Sequence, residues 1–152
     1  MTQRTQVRGI LAISIMRMLL RVAAVFSVVA LIVLSWLPGQ DMIRTSLLSA
    51  YAEHALAYWI SGLLVASALP RNVPHVAAFY VLLACVLELG QAFIPDRNPE
   101  IISGFVSICG ALAGIASAAL LRGSVHRKQR PKRVLLFAQE ASPPTALRRR
   151  RA

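Results

Sequence analysis

The sequence predicts an all-α integral membrane bundle: four transmembrane helices, both ends on the cytoplasmic side, and a disordered basic C-terminal tail. Three observations lead there. The chain has 152 residues, of which 57% are hydrophobic and only 15% charged, with a mean hydropathy of +0.60; a soluble domain carries about a quarter charged residues. Between Val22 and Leu121 the only charges are Asp41, Arg44, Glu53, Arg71, Glu88, Asp96, Arg97 and Glu100. The remaining charges all sit near the two ends. So few charges cannot cover a water-soluble fold of this length, so a soluble helical domain with a buried core is set aside. The length fits one domain.

A net charge of +11 invites a nucleic-acid reading. Placement argues against it. The basic residues flank apolar segments and fill the C-terminus, the pattern of cytoplasmic membrane flanks attracted to anionic lipid.

The elements follow in order. Residues 1–17 form a basic cytoplasmic flank, and residues 18–37 the first span. A span needs roughly 20 apolar residues. Arg21 falls in its first turn and can snorkel to the headgroups. Trp36 suits the far interface, and Pro38-Gly39 stops the helix. The run is long and no small-x-small cleavage site follows, so it reads as a retained anchor rather than a signal peptide. Residues 40–53 are mixed: Ile43, Leu47 and Tyr51 share one face, which suits an interfacial helix, an outward extension of the next span, or a loop.

The second span covers residues 51–69. Pro70 to Pro74 is a tight turn in which Asn72 can cap and Pro74 begins a helix. The third span covers 74–94 and contains Glu88 and Gln91. Pro95 to Pro99 repeats the same turn logic, with Asn98 as cap. The fourth span covers 99–121, making 18–121 the membrane domain. It is rich in small residues, and Gly110-x-x-x-Gly114 forms a seam that lets helices approach closely. Residues 122–152 are polar, contain proline and end in four arginines, so they read as a disordered cytoplasmic tail, free in solvent or in contact with anionic lipid.

Orientation comes from the positive-inside rule. Both ends inside places 15 of the 17 basic residues on the cytoplasmic side and leaves only Arg44 and Arg97 outside. The unusual polar residues then gather at the outer face. Glu53 and His54 open the second span, with Tyr58 one turn in. Glu88 and Gln91 end the third. Arg97 lies in the outer turn, and Ser103 and Ser107 begin the fourth. An intramembrane carboxylate is costly and points to function by default. Arg97 is the nearby cation for Glu88, and Gln91 shares Glu88's face. The blander reading is a polar network that holds the bundle together.

No cofactor or metal is indicated. His54, His75 and His126 are far apart, and Cys85 and Cys109 lie in apolar runs with no ligand spacing.

At these residues the chain resembles the VanZ-like family of small bacterial membrane proteins. The resemblance spans Trp36 to Ala118. Its pieces are Glu53-His54-Ala55-Leu56-Ala57-Tyr58, then Glu88-Leu89-Gly90-Gln91 leading to Pro95-Asp96-Arg97, then a final helix with Gly110, Ala111 and Gly114. The family usually has Asp where this chain has Ser103, Asn where it has Ser107, and an Asp-Lys pair where it has Ala50 and Tyr51. The family is named for glycopeptide (teicoplanin) resistance. The resemblance implies a cell-envelope setting and a multi-pass place in the bacterial cytoplasmic (inner) membrane. It does not imply a reaction.

Three functions are therefore compatible with the sequence. The cluster could bind the headgroup of a lipid or lipid-linked envelope precursor. The chain could be an accessory or scaffold protein. It could be an intramembrane enzyme, which ranks last because no nucleophile–base pair is present.

Overall fold

The computed structural model describes residues 2–37, 49–94 and 100–140, with side chains described at 8–37, 49–94 and 100–124. It is all-helical: α1 is Thr2–Ser35, α2 Ala50–Ala68, α3 Val73–Gln91 and α4 Ile101–Glu140. The chain divides into two units, Met1–Ala119 and Leu120–Ala152. The first holds α1, α2, α3 and the opening of α4. The second holds the rest of α4 to Glu140.

Two helix boundaries differ from the sequence expectation. The first helix begins at Thr2 rather than near Met18, and its apolar span starts at Arg8. Arg17 looked like the edge of the membrane, but no Gly-Pro stop precedes it, and Ile10, Leu11, Ile13 and Ile15 continue the apolar run. The fourth helix does not end near Leu121 but continues to Glu140. Residues after Ser124 carry Arg, Lys and Gln, which are strong helix formers, so charge there does not break the helix.

Helix starts follow local chemistry. Ser49 is the N-cap of α2: its backbone is extended (φ −68°, ψ 154°) and its hydroxyl accepts the N–H of Ala52 at 3.3 Å. Asn72 precedes α3 with Pro74 in the first turn, but the Asn72 side chain makes no cap bond.

Three helices are long and apolar enough to cross a membrane: Arg8–Ser35, Val73–Gln91 and Ile101–Ser124. The 19 residues of α2 would reach about 28 Å at about 1.5 Å each, nearly the roughly 30 Å of a hydrocarbon core. Tyr51, Glu53, His54 and Tyr58 make its first half too polar to stand with the other three.

Packing explains how α2 tolerates that polarity: it is the helix against which the others close. Ser27 on α1 bonds Ser61 on α2. Tyr58 on α2 meets Tyr80 on α3 edge-on, with ring centroids 6.4 Å apart. Gly110 on α4 lies against the backbone of Ala55, and Gly114 against that of Trp59 and Leu63. From the other side, a Cβ placed on Gly62 would meet the Ala111 carbonyl oxygen at 2.5 Å. The helix axes approach so closely because a glycine stands at each of these contacts.

The resulting interior mixes small and hydroxylated residues with Leu31, Val65, Val76, Leu83, Leu87 and Ile115. Ala66, Ala84, Ala111, Ala118, Ser61 and Ser107 are buried, while Phe26, Phe93, Ile101, Phe105 and Leu120 are more than half exposed. A protein folded in water hides its largest apolar side chains first. Here many of them face outward, as hydrocarbon surroundings permit.

Candidate functional site

Of the polar residues expected at one face, Glu53, His54, Glu88 and Gln91 lie at the end of the bundle where α2 begins, α3 finishes and α4 begins. Glu88, one turn before the end of α3, is half-buried. Its carboxylate Oε1 accepts the backbone N–H of Glu100 at 2.7 Å. Glu100 is the residue just before α4, and its carbonyl receives the N–H of Gly104. It therefore occupies the cap position, whose N–H is outside the helical ladder. Glu88 thus supplies a carboxylate to the positive end of a neighbouring helix, where negative charge is favoured. A Cβ added at Gly104 would lie 3.5 Å from Glu88 Cγ, in ordinary van der Waals contact, so the start of α4 packs directly on this side chain.

Glu100 extends the contact. Its exposed carboxylate Oε2 accepts the hydroxyl of Tyr51, in the first turn of α2, at 2.8 Å. Tyr51, Glu100 and Glu88 therefore form one line across α2, α4 and α3. Glu53 and His54 are half-buried in the next positions of α2, and both interact with neighbouring groups.

Gln91 turns the other way. It is buried, and its amide Nε2 donates to Ser35 Oγ, near the end of α1, at 3.1 Å. Glu88 and Gln91 are one turn apart, yet they engage different helices. The Trp36 indole covers Gly90 between them, with Nε1 3.7 Å from where a Cβ would stand. Tyr58, Ser103 and Ser107 are buried inside the bundle. Arg97, and with it the expected Glu88–Arg97 pair, lies outside the described residues.

Charge at this end is lopsided. Among the described residues, Glu53, Glu88 and Glu100 gather there with Tyr51 and His54, and no arginine or lysine accompanies them. Among the described residues no cluster of three metal-ligating side chains is present.

A second polar feature lies deeper. Tyr80 OH and Ser61 Oγ are 2.6 Å apart, Ser61 Oγ and Ser27 Oγ 2.9 Å, and Ser27 Oγ donates to the Ala24 carbonyl at 2.8 Å. Each hydroxyl has one hydrogen. Ser27 gives its hydrogen to Ala24, so it accepts from Ser61, and Ser61 in turn accepts from Tyr80. The line of donors therefore runs one way, from α3 through α2 to α1.

Sequence reading missed Tyr51, Glu100, Ser35, Ser27, Ser61 and Tyr80. Glu100 had a signal, an acid directly after Pro99 and before the apolar run of α4. The others are single hydroxyls in apolar runs, whose partners lie on other helices.

Comparison with protein-family models, with curated proteins and with solved structures finds no match, so the VanZ-like resemblance rests on the residues quoted for it.

Proposed function

We propose that the chain is a VanZ-like protein of the bacterial cytoplasmic membrane, crossing it four times with both termini inside. On this reading it binds a polar headgroup at the outer face through Glu88, Glu100, Tyr51, Glu53 and His54, and through Arg97, which lies between Glu88 and Glu100 in the sequence. The headgroup belongs to a lipid or to a lipid-linked envelope precursor. The observation that carries the reading is the half-buried Glu88 carboxylate at a helix junction, linked through Glu100 to exposed Tyr51. A carboxylate at membrane depth is rare without a task. The local excess of acid suits an amine or a hydroxyl-rich headgroup, and Arg97 is the group that would meet an anionic part of it.

Four spans follow from α2. It is sealed by glycine seams against α4 and by hydroxyl and ring contacts against α1 and α3, so it would share their environment.

A second reading has its own support. Glu88–Glu100, Tyr51–Glu100 and Gln91–Ser35 each join two helices, which is what a purely structural tie in an accessory protein would do. Glu88→Gln separates the two. The amide oxygen can still accept the Glu100 N–H, but the charge is gone. At normal membrane levels, loss of function in teicoplanin-susceptibility and envelope-stress assays by Glu88→Gln or Arg97→Ala supports the binding site. Full function in both variants would leave only the structural tie.

A further inference from the structure

At the other end of the bundle, α1, α2 and α3 part to leave a groove of about 530 Å³. Its walls are apolar, with Val28 of α1, Val65 of α2, and Val76 and Phe79 of α3. Among the described residues its polar lining is Arg21, Asn72 and His75, all exposed, and no carboxylate lines it. Along α1 the lining extends from Arg21 to Val29, a rise of about 12 Å along the helix. The mouth is thus marked by one permanent cation and two hydrogen-bonding side chains at the α2–α3 turn, and the floor is hydrocarbon.

We propose that this groove holds one anionic phospholipid, its acyl chain against the valines and its phosphate at Arg21 and Asn72. Charge selects the occupant. A guanidinium pairs with phosphate by two parallel hydrogen bonds, and no acid among the described lining residues competes for it. Asn72 has an amide to offer because it does not cap α3. Its neighbour Arg71, also exposed, adds positive potential in the same turn. The two-part lining matches the two-part chemistry of a lipid. A free phosphate would use the mouth alone, and an uncharged apolar molecule the floor alone. The inference rests on the chain spanning a membrane but is independent of the polar cluster at the opposite end.

Native mass spectrometry of the full chain, released from nanodiscs of equal phosphatidylglycerol and phosphatidylcholine, tests it. The expected result is one retained phosphatidylglycerol in preference to phosphatidylcholine. Arg21→Gln should reduce that preference roughly tenfold, the scale of a charge-assisted contact. Val25→Trp, at an exposed lining position, should plug the groove and remove the retained lipid with Arg21 intact. Replacing Arg148 to Arg151 by glutamine should change nothing, which separates the groove from attraction to the basic C-terminus. Equal retention of the two lipids by the unmodified chain, or an undiminished preference in Arg21→Gln, would overturn the proposal. Arg21 is remote from the fold's interior, so this variant decides the matter even if the tryptophan variant does not fold.

Discussion

The Glu88 carboxylate on α3 caps α4 in trans, 2.7 Å from the backbone N–H of Glu100. The residue that most invited a functional reading is thus also part of how two helices are joined. Substitutions that keep the acceptor but remove the charge can tell these contributions apart. Glu88→Ala removes both, and is expected to lower stability by about 1–2 kcal/mol, the scale of a lost cap. Glu88→Gln should retain most of it. Thermal unfolding in a mild detergent measures the difference. Equal loss in the two variants would mean that charge, and not the acceptor oxygen, holds the junction.

The α2–α4 seam gives a sharper contrast between glycines. A Cβ on Gly110 or Gly114 would collide with backbone atoms of α2, which cannot rotate away, whereas Gly9 and Gly123 have nothing within 4 Å. Gly114→Ala and Gly110→Ala are therefore expected to destabilise by about 1–3 kcal/mol or more. Gly123→Ala should be neutral or stabilise by up to about 1 kcal/mol, because glycine is a poor helix former. Monodispersity on size exclusion after a temperature step reads both effects.

The one-way line of hydroxyls predicts an order of harm. Tyr80→Phe removes only the first donor and leaves Ser61 bonded to Ser27, so its effect should be near the 0.6 kcal/mol average of interhelical hydrogen bonds in membranes, about 1.7 at most. Ser61→Ala removes the middle of the line and strands the fully buried Tyr80 hydroxyl, which should be worse. The double variant should then lose less than the sum of the singles. Additive losses would show that the two hydroxyls do not act together.

These relationships mark where the sequence stopped being legible. Four helices could be placed from apolar runs and Pro-Asn turns, and α2 and α3 lie within a few residues of their expected limits. The all-helical class followed from the same runs. The start of α1 was obscured because Arg17 reads as a membrane edge, although arginine neither stops a helix nor prevents the apolar face from continuing past it. The end of α4 was obscured because the residues after Leu121 are polar and include a proline, a composition that reads as a tail and not as helix. At the polar end, the clustering of Glu53, Glu88 and His54 was inferable from orientation. The Glu88–Glu100 contact was not, because it depends on how closely the end of α3 approaches the start of α4 in space. Nor was the Tyr80–Ser61–Ser27 line, whose members are separated by 19 and 34 residues along the chain and carry no periodic signal.

The account depends most on how many times the chain crosses the membrane. If α2 crosses with the other three, the two termini share a side; if it does not, they are on opposite sides. Cys85 and Cys109 are first replaced by alanine, and a single cysteine is then introduced as Asp96→Cys or Lys128→Cys. Labelling with a membrane-impermeant maleimide on intact cells reads the answer. The account predicts labelling at 96 and none at 128 until the cells are opened. Labelling at 128 on intact cells would contradict it.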